Sequence, residues 1–404
     1  MKAIKKFIFF LGVVLSLSAV FAFSGFAAKV TAPQVTSITP VSKTTTEITI
    51  EWKTKGKVTG YRIYSYNTKT KKYTRLRTQS KTQYTVRSLE PGESYVLAVR
   101  PYLEKDGKSY KGSYFKKTVY TALDTVTGIR QKTTEATRHK LTWNKVKGAE
   151  SYELRFFDST SAKYVKIGEV KSNSCTLSHL KSASVYKYKI RAVSVALNGK
   201  KLYSAYSSAF SAVTSAPDIT GFRQTSTNKS GYTLTWDKAQ NAQGYYLYCF
   251  SEETGDYERV AILSRNQYKV TEKESAQHDT YMLCSYATVN GKRVFGGSST
   301  LEAATKPEST EVMLEREIIT GGTAKLSWKE VQNADGYFIY VSSKPDSGFT
   351  LKKEISGAEI TSATLKGLGS SKTLYFKVKA YADVENSYIT SDYSNTVSAL
   401  NINI

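Results

Sequence analysis

Apolar and polar residues alternate in short runs along most of the chain, and four of these runs end on tryptophan. Ile48, Ile50 and Trp52 stand two apart, as do His139, Leu141 and Trp143, then Tyr232, Leu234 and Trp236, then Ala324, Leu326 and Trp328. A period of two puts such side chains on one face of a strand, so each run predicts a strand with its Trp face buried. Nine residues after each Trp a Tyr opens a second run: Tyr61, Tyr152, Tyr245 and Tyr337. The four Trp are 91, 93 and 92 residues apart. Units of that length can each bury a core, so the repeat predicts beads in a row rather than a stacked solenoid.

A second landmark follows each Trp by 43 to 46 residues. Leu89 and Tyr95 stand six apart, and so do Leu180 and Tyr186. The third unit has Tyr281, but Ser275 holds the place six before it; the fourth has Leu368 before Leu374, with Tyr375 one step late. The pattern resembles the tyrosine corner of Greek-key sandwiches, where the phenol bonds to backbone upstream. Trp on one strand, Tyr on the next and this corner together resemble the fibronectin type III family across all four units. The resemblance implies a seven-stranded sandwich with sheets A-B-E and C′-C-F-G, the Trp on strand B, the following Tyr on strand C and the corner before strand F. The fold class expected is therefore all-β, with four tandem Greek-key β-sandwiches arranged as an extended rod. The 30 Tyr and the abundant Thr and Val suit half-buried strands.

The expected boundaries are 31–122, 123–216, 217–306 and 307–404. Junctions of a few residues restrict bending, which is the basis for expecting a rod. Pro217 and Pro307 are expected where a first strand begins. Residues 1–28 read as a secretory leader: Lys2, Lys5 and Lys6 precede an apolar run over 7–23 and a cluster of small residues. The run is long enough to serve instead as an uncleaved anchor. The expected localisation is secreted, extracellular or cell-surface associated. Three Cys in 404 residues, Cys175, Cys249 and Cys284, do not make a disulfide scaffold. Strand parity puts Cys249 on the buried face and Cys284 on the outer face of one sheet. Such a leader with so few Cys fits a bacterial exported protein.

Charge divides the chain. Residues 31–122 carry 18 Lys and Arg against 6 Asp and Glu, and residues 123–216 carry 16 against 6. The third unit balances at 10 and 10, and the fourth has 10 against 12. One half is thus strongly basic and the other nearly neutral, which predicts an anionic partner at one end. Outward parity on strands C and F of the basic half gives Arg62, Tyr64 and Arg100, then Arg155, Lys187, Lys189 and Arg191. This face is the candidate contact for an anionic cell-wall or membrane-surface polymer. In the third unit the same parity gives Tyr246, Tyr248 and Phe250 on C with Met282, Cys284 and Tyr286 on F. Contiguous apolar surface of this kind marks contact with a protein or a glycan, unless a neighbouring strand covers it.

Residues for catalysis are not grouped. The three His are scattered; His139 falls on the inward parity of strand B and is expected to be partly buried and structural. No metal-ligand spacing, phosphate loop or nucleophile elbow is present in the sequence, and no cofactor is expected. A sandwich of this size offers no deep cleft where two carboxylates would converge for glycoside hydrolysis. Specific nucleic-acid motifs are also missing. The function expected is a noncatalytic exported protein for surface binding, adhesion or spacing. The alternative is a polysaccharide-binding accessory to an extracellular carbohydrate-degrading enzyme system.

Overall fold

The computed structural model describes residues 30–369, 372–385 and 387–402. The expected leader over 1–28 lies outside the described residues. The chain divides into two compact units, Met1–Ala122 and Leu123–Ile404. Among the described residues there is no α-helix, and hence none long and apolar enough to cross a membrane.

The first unit holds eight strands: β1 (Gln34–Lys43), β2 (Ile48–Lys55), β3 (Gly60–Asn67), β4 (Lys72–Gln79), β5 (Gln83–Val86), β6 (Ser94–Lys105), β7 (Lys108–Lys111) and β8 (Phe115–Tyr120). One sheet runs β1-β2-β5; the other runs β4-β3-β6, with both β7 and β8 paired to β6. These are strands A-B-E and C′-C-F-G, with strand G broken into two halves. Ile48, Ile50 and Trp52 alternate inward from β2 and meet Ile63 of β3 and Leu97 and Val99 of β6 in one core.

The second unit repeats this plan three times. Its C strands are Ser151–Asp158, Gly244–Ser251 and Gly336–Ser342; its F strands are Val185–Val195, His278–Val289 and Lys372–Val384. Each repeat closes its own core. The first strands start later than the prolines suggest, at Arg223 and Val312, leaving Pro217 and Pro307 in the connections. The fourth repeat departs in one respect. Its A strand is split, with Val312–Leu314 on the B strand and Ile318–Thr320 crossing to pair parallel with Val397–Ile402 in the other sheet.

The Trp and Tyr landmarks form one device. All four Trp are buried, and each indole meets the ring of the Tyr nine residues on, with centroids 5.2–5.4 Å apart. In the last three repeats that Tyr hydroxyl accepts a hydrogen bond from the backbone N–H six residues earlier. The donors are Val146, Ala239 and Val331, at 2.9, 3.0 and 2.9 Å. In the first repeat Tyr61 meets the Thr54 hydroxyl at 3.1 Å instead. The phenol thus pins the B–C loop while its ring fills the core, so one side chain satisfies a buried polar group and supplies apolar area.

The corner is present in two repeats. Tyr95 accepts from the Glu90 N–H and Tyr186 from the Lys181 N–H, both at 2.7 Å. In the third repeat the expectation for Tyr281 fails. Leu283 faces Leu247 as Val99 faces Ile63 and Ile190 faces Leu154, so the residue matching Tyr95 and Tyr186 is Asp279. Its carboxylate takes the Lys273 ammonium at 2.7 Å and the Tyr232 hydroxyl at 2.5 Å. An ion pair with a phenol donor stands where the other repeats use a phenol alone. Tyr281 is a core residue, its hydroxyl 3.1 Å from that of Tyr232. In the fourth repeat the place is held by buried Leu374, which has no hydroxyl to offer.

The same cross-sheet position between strands B and F holds a different pair in each repeat: Ile48 with Leu97, His139 with Tyr188, Tyr232 with Tyr281, Ala324 with Phe376. His139 was expected to be partly buried. It is wholly buried, because Tyr188 reaches across from the opposite sheet and its hydroxyl lies 3.1 Å from the His139 Nε2. Burial lowers the imidazole pKa and keeps the ring neutral.

Within the second unit the repeats are joined by a recurring contact. The residue five after Trp236 and Trp328 is an Asn in the left-handed region, Asn241 and Asn333. Asn241 Nδ2 donates to Ser182 Oγ at 3.2 Å, and Asn333 Nδ2 donates to the carbonyl of Ser275 at 3.2 Å. Ser182 and Ser275 occupy equivalent places in the loop before strand F.

Candidate binding faces on the outer sheets

The outer face of each C′–C–F–G sheet is built on one register. The first outward residue of strand C is Arg62, Glu153, Tyr246 or Phe338, and the residue facing it on strand F is Arg100, Arg191, Cys284 or Lys379. Two residues before it stands Gly60, Gly244 or Gly336, opposite Tyr102, Tyr286 or Tyr381. The Tyr ring lies across the glycine: a Cβ on Gly336 would sit 2.6 Å from the Tyr381 Oη and 2.1 Å from the Ile355 carbonyl oxygen. The second repeat has Ser151 there, and its F strand correspondingly carries Val193.

A third contributor comes from the break in strand G. In the second repeat the break reads Ser204-Ala205-Tyr206-Ser207, and in the fourth Ser391-Asp392-Tyr393-Ser394. The two serines of each accept from F-strand N–H groups: Ser204 from Ala192 at 2.9 Å, Ser207 from Ile190 at 3.0 Å, Ser391 from Ala380 at 3.0 Å, Ser394 from Val378 at 2.9 Å. They replace the ladder bonds that the break removes, and the Tyr between them turns onto the outer face. The first repeat presents Tyr114 in the same way; the third has Ser298 there. The sequence reading missed these tyrosines. The S-x-Y-S repeat was the available signal, but it sits in a polar run with no strand period.

In the first repeat Tyr73 and Tyr114 stack at 4.0 Å, and Tyr64 meets Tyr114 edge-on at 5.2 Å. Cations lie over these rings: Arg100 4.8 Å from Tyr114, Arg62 4.9 Å from Tyr102, Lys116 3.8 Å from Tyr66. The Tyr73 hydroxyl beside Lys116 raises its pKa, so it stays charged. Burial, then the Tyr114 hydroxyl, raises that of Tyr64. Among the described residues none of Arg62, Arg100 and Lys116 has a carboxylate partner.

The second repeat is different, and the expectation for two of its residues is corrected. Arg155 and Arg191 share a single carboxylate: Glu153 lies between them, only 2% exposed, and cancels one of their two charges. Arg155 Nε donates to Glu153 Oε1 at 3.0 Å, Arg191 to Oε2 at 2.9 Å, and the Tyr206 hydroxyl to Oε1 at 2.5 Å. Burial alone would raise the Glu153 pKa; the bonds from Arg191, Tyr206 and Arg155 outweigh it and hold it at about 2. Tyr206 is pushed up to about 12 by burial and by its bond to that carboxylate. Arg191 also lies 3.7 Å over Tyr203. Of the expected residues, Lys187 is exposed, and Lys189 sits 4.7 Å over Tyr164.

In the third repeat Tyr246 was expected on the surface and is buried, at 5% exposure. It faces outward, but Tyr286 and Phe295, with centroids at 5.0 and 5.6 Å, and Arg259 and Arg293 cover it. Phe338 of the fourth repeat is buried in the same way, under Tyr381 and Tyr388. Tyr248, Met282, Cys284 and Tyr286 are half-buried on the outer face, and Phe250 is exposed. All three Cys are unpaired, with burial raising each thiol pKa. Among the described residues no group of three or more His, Cys, Asp or Glu side chains is placed to hold a metal ion.

Comparison with known families matches residues 31–114 to the Fibronectin type III domain. The first repeat is a fibronectin type III domain. The later repeats carry its strand plan, and the chain is an all-β assembly of fibronectin type III-like sandwiches. Similar solved structures include the FN1–FN3 domains of chicken CNTN1, at 16% identity, covering 69% of this chain and 99% of that one with a TM-score of 0.31. Another is a two-domain fibronectin type III segment of chicken tenascin, also at 16% identity, covering 46% and 100% with a TM-score of 0.36. No curated protein matches the chain.

Proposed function

We propose that the chain is a noncatalytic exported binding protein, acting at the cell surface or in the extracellular space. Its first repeat holds an anionic cell-wall or membrane-surface polymer. Fibronectin type III domains are generally noncatalytic binding or spacer modules, and the reading starts from there. The observation that carries it is the outer face of the first repeat. Arg62, Arg100 and Lys116 lie on phenol rings with no carboxylate among the described residues to neutralise them, in a repeat with 12 more basic than acidic residues. Rings beneath the cations fix their positions without cancelling their charge. Lys116 is exposed and the two arginines are half-buried at the surface, and charges so placed attract a polyanion over a range of about 8 Å at physiological salt. Retention of the full chain on washed bacterial walls should therefore fall steeply as salt rises. Retention that ignores salt, or equal retention on neutral starch, would refute the proposal.

One observation favours a second contact, with a protein or a glycan, on the third repeat. The other three repeats each lay a G-strand tyrosine on the outer face, against the C-strand residue that matches Tyr248. Ser298 cannot do so, and on that face Tyr248 and Met282 are half-buried and Phe250 is exposed. An aromatic side chain or a sugar ring fits that chemistry, and the latter would make the chain an accessory to carbohydrate-degrading enzymes. Tyr248→Ala with Phe250→Ala should then abolish binding to a plant or starch polysaccharide while the melting curve stays in place.

A further inference from the structure

At one end of the second repeat strand C turns away at Asp158 while strand F runs on. The C–F ladder ends at Phe156 facing Tyr188, one pair sooner than in the first repeat, where Tyr66 still faces Val96. Residues around that end line an open pocket of about 630 Å³, inside the roughly 300–1,000 Å³ range of small-molecule sites. Phe156, Phe157, Leu177, Val185 and the rings of Tyr186 and Tyr188 give it apolar walls. Behind the wall, His139 bonds the Tyr188 hydroxyl and holds that ring from the core side. The mouth is cationic. Lys181 and Lys187 supply its charge, both exposed and neither with a carboxylate partner among the described residues. Its one carboxylate, Asp158, is taken up by its own turn, accepting from the Thr160 N–H at 3.0 Å and the Ser161 hydroxyl at 2.7 Å.

We propose that this cavity binds a small organic anion with an apolar body, of the acyl or aromatic carboxylate class. The hydrocarbon lies against the phenylalanine and tyrosine rings, and the carboxylate reaches Lys181 and Lys187. The site is independent of the first repeat's basic face. Calorimetric titration of the full chain with dodecanoate tests it, with dodecyltrimethylammonium as the partner of equal length and opposite charge. Saturable binding of dodecanoate alone is expected. Lys181→Glu with Lys187→Glu should weaken it at least tenfold, and Val185→Trp, which places a ring at the mouth, should block it. Arg62→Gln with Arg100→Gln should leave it unchanged. Lys181, Val185 and Lys187 are exposed, so unchanged melting curves accompany the two second-repeat variants. The proposal is overturned if the parent chain shows no saturable binding, if the cation binds as well as the anion, or if neither second-repeat variant alters the affinity.

Discussion

Glu153 shows how one side chain can redirect a whole face. In the sequence it stands three residues after Glu150 and two before Arg155, and parity places it outward with Arg155. Only the fold brings Arg191 and Tyr206 to it, from other strands. Glu153→Ala removes charge-assisted hydrogen bonds but leaves arginines that reach solvent, so it should cost the second repeat about 1.5–3 kcal/mol. Because folding holds its pKa at about 2, below the usual 4.5, its contribution is complete above pH 4.5 and is lost as pH falls toward 2. Calorimetric melts of the full chain would show this as an acid-sensitive transition, identified as the one that Trp143→Ala displaces. Trp143→Ala itself should cost about 3–5 kcal/mol, as large core truncations do. Tyr186→Phe removes only the corner hydrogen bond and should cost about 1 kcal/mol. The tryptophans and their tyrosines were legible because burial follows parity. The partners of Glu153 were not, since they depend on which strands are neighbours.

At the scale of strands, parity placed the C and F side chains on the correct faces, yet facing outward did not mean being exposed. Tyr246 and Phe338 are covered by tyrosines from their own F strands, and glycine makes room for those rings. Gly336→Ala would drive a Cβ into the Ile355 carbonyl and the Tyr381 ring, and should cost about 1–3 kcal/mol, as overpacking does. Gly168→Ala is the contrast. It lies in a strand with open space around its Cβ, so it should gain about 0.4–1 kcal/mol by stiffening the unfolded chain. Denaturant titration of the two variants separates these outcomes. The corner of the third repeat was also readable. Tyr95 and Tyr186 both follow their Trp by 43 residues, and that spacing from Trp236 lands on Asp279. An acid there hid the correspondence, because its partner, Lys273, is as unlike leucine as Asp279 is unlike tyrosine.

Across the whole molecule the four repeats share a core plan and differ in what their outer faces do with charge. The first leaves its cations on aromatic rings, and the second spends two of its arginines on Glu153. The third covers Tyr246 but leaves Tyr248 and Phe250 accessible, and the fourth sets Lys377 and Lys379 over Tyr393. Net charge, read from the sequence, marked the first two repeats alike; side-chain pairing separates them. The central claim is therefore that anionic polymer binds the first repeat's face more tightly than the second's. Calorimetric titration of the full chain with a glycerol-phosphate wall polymer tests it most directly. Arg62→Gln, Arg100→Gln and Lys116→Gln together should weaken binding at least tenfold, and by more than Lys187→Gln with Lys189→Gln does. The reverse ranking, or equal losses from the two sets, would contradict the account.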